Sequence, residues 1–286
     1  VFFMTFCALS SAKGMDIKMK KYQNFFRTEQ IKKYLPLMIL ICIHCRWLQV
    51  NVEIFGEIRQ TDYSLFLSDY AISFFKGTIP PSEQEVFNIP SLWSFYFIYF
   101  FAITGYESSQ IFSKFEQQKL IRQGKRKHWW YLKFFQILKE TAIYLVITYV
   151  TMGIYGICTD AKIGGLSREL QFQYNGLKLQ EVSAIQLLIY LVILPYLVMV
   201  AMACVQYVMA MEINVVISFL IMVIILVGSV FFETPFLVYN YLMLIRQEEI
   251  MSTGVNAWIG MGMSLFLICG MVLIEKQFVQ KKDFLL

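Results

Sequence analysis

The chain has 286 residues, of which 58% are hydrophobic, 17% aromatic and only 16% charged, and its net charge is +5. A soluble domain averages about 45–50% apolar and about 25% charged side chains, so an ordinary soluble domain is excluded. Long uninterrupted apolar runs exclude an outer-membrane barrel, whose strands alternate in short segments, and an all-α membrane protein remains.

The opening, Val1 to Ser11, is apolar but short and has no basic lead-in, so it makes a poor signal peptide, and Met15 is the expected initiator. Met15, Met19, Tyr22 and Phe26 recur at i, i+4, i+7 and i+11 with basic residues between them. This spacing predicts an amphipathic interface helix within an N-terminal tail over residues 1–33. Residues 34–286 then form a single transmembrane domain. A crossing needs roughly 20 apolar residues. The runs predict six spans, at about 34–54, 89–106, 134–158, 185–210, 213–232 and 255–274. Spans four and five share one apolar stretch, so a tight turn is placed at Glu212, and Pro195 is expected to kink span four. The cysteines sit in or beside apolar runs, where they act as small hydrophobes rather than a disulfide framework.

Basic residues mark the sides. The N-terminal segment carries seven, the loop after span two another seven and the C-terminal tail three. With six spans these seventeen share one side, against six on the other. Lys and Arg collect on the cytoplasmic side, so both termini are expected there. Among the outer loops, Ser64 to Phe75 reads as an interfacial helix. Pro235 to Ile245 is apolar but about half a membrane long, which suggests a re-entrant outer segment between spans five and six.

No phosphate-cradling Gly-x-x-x-x-Gly-Lys-Ser/Thr, His-Glu-x-x-His or Gly-x-Ser-x-Gly occurs. The chain is therefore expected to have no catalytic, cofactor or metal site of its own. Cys42-x-His44-Cys45 fits no standard zinc spacing. Charge at mid-membrane usually faces a cavity or a partner. His44 and Arg46 are thus candidates for a substrate path, with the alternative that Arg46 snorkels to the outer interface. Gly153 with Gly156, and Gly260 with Ser264, are candidate close-approach points between helices.

The loop from Glu107 to Lys133 opens with a helical pattern in which Ile111, Phe115 and Leu120 are apolar, and Gly124 is a plausible stop. Lys125, Arg126 and Lys127 lead into Trp129 and Trp130, a composition suited to headgroups and the interface belt. The segment reads either as a solvated loop with a topology signal or as a short helix across the cytoplasmic mouth that docks a soluble partner.

Through Phe75-Lys76-Gly77, Asn88-Ile89-Pro90-Ser91-Leu92-Trp93 and Leu120-Ile121-Arg122-Gln123-Gly124-Lys125-Arg126-Lys127-His128-Trp129-Trp130, the sequence resembles the permease subunits of ABC transporters of the type-2 exporter class, of the Gram-positive bacterial kind. The resemblance implies an amphipathic connecting helix, six spans, a re-entrant outer element, and a coupling helix between spans two and three. Here Ile111, Phe115, Lys119, Leu120 and Arg122 would form the coupling helix, with Lys125, Arg126, Lys127, Trp129 and Trp130 as its membrane-interface anchor. It implies an exporter of peptide, lipid or drug-like substrates in a bacterial cell membrane. Its partners would be a second permease and separate ABC ATPase subunits that bind ATP and Mg, with no nucleic acid. The alternatives from other classes are an ATP-independent membrane enzyme or immunity protein, and a secondary transporter, although no internal repeat is evident.

Overall fold

The structure, a computed structural model, describes residues 32–81, 89–110, 126–180, 182–251 and 253–281. The expected N-terminal interface helix and the coupling segment from Ile111 to Lys125 lie outside the described residues. The described chain is helical apart from loops and two isolated bridges.

Three helices are long and apolar enough to cross a membrane: α1 (Lys32–Arg59), the Trp129–Cys158 stretch, and Ala184–Glu212. Between the first two lie α2 (Leu67–Phe75) and α3 (Ser91–Ser109). Helix α3 has 19 residues, but tyrosines and Trp93 hold its hydropathy down. The full helix α4 runs over Arg126–Cys158. At 1.5 Å per residue it is about 50 Å long, well beyond a bilayer core. It starts eight residues before the expected span three, so the Arg126–Tyr131 stretch is helix rather than loop. After α5 (Arg168–Asn175), α6 takes Ala184–Glu212. Two shorter apolar helices follow, α7 (Val215–Phe231) and the Ala257–Leu273 part of α8 (Ala257–Lys281). The turn between α6 and α7 falls at Ile213 and Asn214 instead of Glu212, because the Asn214 side chain caps α7 by accepting from the Val216 N–H at 2.7 Å.

Pro195 interrupts the regular hydrogen bonding of α6. Proline lacks an N–H, which frees the carbonyl four residues back. Residues Ile189–Ile193 form a π-turn there, and the Tyr149 hydroxyl of α4 donates to the Leu191 carbonyl. The interrupted turn and its repair from a neighbouring helix are one device.

Helix α6 packs against most of the other helices, and α3 contributes an aromatic core beside it. In α3, Trp93, Tyr96, Phe97, Phe100 and Phe101 are all buried. Tyr96 meets Phe74 edge-on at 5.0 Å and Tyr144 at 4.9 Å, and Phe101 meets Tyr239 at 5.7 Å. Such offset contacts add about 0.5–1.5 kcal/mol each beyond area burial. The exterior is apolar too: Ile43 and Trp47 of α1, Val146 and Ile154 of α4, Val216 and Ile224 of α7, and Phe266 of α8 are all exposed. An apolar surface of this extent suits lipid.

Helix α2 departs from the interfacial reading. Seven of its nine residues are buried. Tyr70, Ala71, Ile72, Phe74 and Phe75 leave it almost no polar face, so it packs inside the bundle. Gly156 of α4 makes room: a Cβ there would lie 2.3 Å from Leu67 Cδ2. Gly153 has nothing within 4 Å, so the two glycines do not work as a pair. Gly260 faces the Tyr241 ring, where a Cβ would come within 2.5 Å, while Ser264 only bonds back to the Gly260 carbonyl.

The Pro235–Ile245 segment does not span. It forms two 3-10 turns, Val238–Leu242 and Leu244–Arg246, in which every residue is buried. Irregular backbone at membrane depth is tolerated only where protein surrounds it. The Ile245 N–H donates to the Lys76 carbonyl at 3.0 Å. Gly77, at φ +72°, lets the chain pass Met243, where any Cβ would sit 2.4 Å from Met243 Cγ.

Candidate functional site

Helix α7 has 17 residues and ends at Phe231. The last carbonyls of a helix have no partner within it. Here Arg246, fully buried, supplies one. Its Nη1 donates to the Ser229 carbonyl at 2.5 Å and its Nη2 to the Val230 carbonyl at 2.8 Å. Nη1 also donates to Asn240 Oδ1 at 2.5 Å, and Nε reaches the Thr78 carbonyl at 2.8 Å. The planar fork of Arg suits this divergent set as a lysine could not. Burial pulls the Arg246 guanidinium down to about 10, offset by the nearby Glu233 charge, so it stays charged at neutral pH. Sequence reasoning counted Arg246 only as a loop charge.

Beside this segment lies a cavity of about 710 Å³. Its walls come from α1 (His44, Trp47), the end of α2 and the turn after it (Phe74, Lys76) and the start of α3 (Trp93), with Ile245 of the buried segment. His44 is buried, its ring edge-on to Phe74 at 4.9 Å. The other expected path residue is elsewhere: Arg46 is exposed on α1 and does not line the cavity. Residues 44 and 46 lie two positions apart on a helix, so they cannot share one face.

At the opposite end, the start of α1, the end of α3 and the first half of α4 meet in a polar network. Lys33 Nζ pairs with Glu107 Oε1 at 2.8 Å and with Glu140 Oε2 at 3.1 Å. The Tyr34 hydroxyl donates to Glu140 Oε2 at 2.6 Å, and Gln136 Nε2 to Glu107 Oε2 at 3.0 Å. The Tyr99 hydroxyl donates to the Lys33 carbonyl at 2.5 Å. Partners are 74 and 107 residues apart in sequence, which is why no motif announces them.

Of the expected interface anchors, Trp129 and Trp130 turn inward and are buried, Trp130 packing on Tyr207 at 5.7 Å. The exposed ring at this level is Tyr131. For Arg126 and Lys127 the structure describes the helical backbone alone. Lys125 and the coupling residues Ile111, Phe115, Lys119, Leu120 and Arg122 lie outside the described residues. Among the described residues, no three His, Cys, Asp or Glu side chains gather as metal ligands would.

Comparison with known protein families, curated proteins and solved structures finds no match for the chain.

Proposed function

We propose that the chain is the membrane-spanning permease subunit of an ATP-driven exporter of the type-2 ABC class, with six crossings and both termini in the cytoplasm. A separate ATPase hydrolyses ATP, and two permeases with two ATPases make the working assembly in a bacterial cell membrane. The exported substrate is a peptide, a lipid or a drug-like molecule. The observation that carries this reading is the network at the root of the 110–125 loop. Glu107 precedes that loop, Gln136 and Glu140 follow it, and Lys33 ties both flanks to α1. A push delivered to such a loop moves three helices together. Packed interfaces then respond by switching between discrete arrangements rather than by bending.

The six-crossing part is tested by labelling. In a cysteine-free background, a cysteine at Ser167 is expected to react with an impermeant maleimide in intact cells, and one at Gln123 only after lysis. Reaction of Gln123→Cys in intact cells overturns the topology.

The coupling part is tested at the loop. Truncating an anchor in a docking site costs over about 1 kcal/mol, and a hot spot about 2 or more. Ile111→Ala combined with Phe115→Ala is therefore expected to weaken co-purification of the ATPase by roughly tenfold, or to leave hydrolysis running without transport, while the chain still inserts. Full coupled transport by the double variant removes this loop from the transmission path.

A further inference from the structure

We propose that the π-turn at Ile189–Ile193 is a hinge, at which the outer end of α6 opens separately from the rest of the helix, and that the Tyr149 hydroxyl is its catch. Burial divides α6 at this turn. Beyond it, thirteen of the nineteen residues of Leu194–Glu212 are buried, and this part packs against α3, α4, α7 and α8. Before it, none of the five residues of Ala184–Leu188 is buried, and Ile185 and Leu188 are exposed by 74% and 55%. A helix end with so few buried contacts opens at a lower free energy than a packed one.

The backbone is discontinuous at the same place. The Leu194 N–H donates to the Ile189 carbonyl, five residues back, and Pro195 has no N–H to give. The Leu191 carbonyl, four residues before Pro195, is answered by the Tyr149 hydroxyl of α4. The Tyr149 ring lies 6.2 Å from that of Phe75 at the end of α2. One side-chain bond thus stands in for the backbone bond that Pro195 cannot make, and its release leaves the ladders on either side intact. The outer end also has its own start. Ser183 Oγ accepts from the Gln186 N–H at 3.2 Å, and Gln186 Oε1 accepts from the Ser183 N–H at 2.8 Å. This capping box closes the turn Ala184–Leu188 with local side chains. The turn therefore stays helical as it moves, tethered at buried Val182. The hinge draws nothing from the ATP-driven reading.

The test is amide hydrogen exchange, read by mass spectrometry on the full chain in phosphatidylcholine nanodiscs, with overlapping peptides across α6. In wild type, residues 184–193 are expected to exchange at least about tenfold faster than 196–212, with a step at the π-turn. Tyr149→Phe keeps the ring and removes the hydroxyl. A lost bond to a buried carbonyl is worth about tenfold, so the outer peptides should exchange about tenfold faster while the inner ones stay unchanged. Pro195→Ala gives the Leu191 carbonyl a backbone donor. In that background Tyr149→Phe should change outer exchange by less than about threefold. Equal protection of the two parts, or a gradual rise toward Ala184 with no step, overturns the hinge, and wild type alone decides it even if a variant fails to fold. Tyr149 is not the catch if Tyr149→Phe leaves the outer part unchanged, speeds both parts equally, or acts as strongly with Pro195→Ala as without it.

Discussion

Arg246→Met is expected to lower the stability of the folded chain by about 3–5 kcal/mol, the range for breaking a buried charged network by removing one partner. Methionine fills a similar volume, so the loss comes from the groups left behind. The carbonyls of Ser229 and Val230 at the end of α7, the Asn240 side-chain oxygen and the Thr78 carbonyl all lose a charged donor at once. Glu233 loses the positive charge that offsets its burial, so its pKa rises further. Arg246→Lys keeps the charge but not the fork, and its stability should fall between the two. Thermal melts in mild detergent, followed by limited proteolysis near Pro235, give the readout. A Met variant that melts with wild type would show that these contacts contribute little net stability.

The second large effect is expected at the other end. Glu107→Gln with Glu140→Gln strips both anions from Lys33, whose side chain is only 15% exposed. The cost is roughly 2–4 kcal/mol, trimmed from the fully buried case because Glu107 is partly open. Adding Lys33→Met to the pair should recover part of that loss, since an apolar replacement of a whole ionic cluster is often close to neutral. Activity should behave differently. If the network transmits motion from the loop, the triple variant regains stability but not coupled transport, while hydrolysis by the bound ATPase continues. Recovery of both together would assign the network to folding alone.

The places of the apolar helices were readable because hydropathy is a local property, but not all their ends: α4 starts eight residues before the expected span and α8 runs seven beyond it. Val215–Phe231 and Ser91–Ser109 fall within a few residues of the expected spans. Pro195 was readable for the same reason, since a missing N–H disturbs its own turn. Helix α2 was misjudged because shortness and an outer loop suggested the interface, whereas Tyr70, Ile72, Phe74 and Phe75 leave no polar stripe to face water. The cavity was half visible. His44 stood out as a polar residue in an apolar run, but nothing local links it to Lys76 and Trp93, which come from other elements. Arg246 and the Lys33 network were invisible as sites because their meaning lies in partners far along the chain.

The Arg246 bonds also impose an order on how the protein is made. The partners at the end of α7 precede Arg246 by 16 and 17 residues, so that helix leaves the ribosome with its final carbonyls unanswered. They are answered only once the chain through residue 246 has been synthesised and folded back, where Arg246 also reaches the carbonyl of Thr78, 168 residues earlier. A nascent chain stopped just short of Arg246 would hold nearly every apolar residue of α7 yet present a frayed helix end to the bilayer. The bundle therefore closes around α7 only when Arg246 reaches these acceptors.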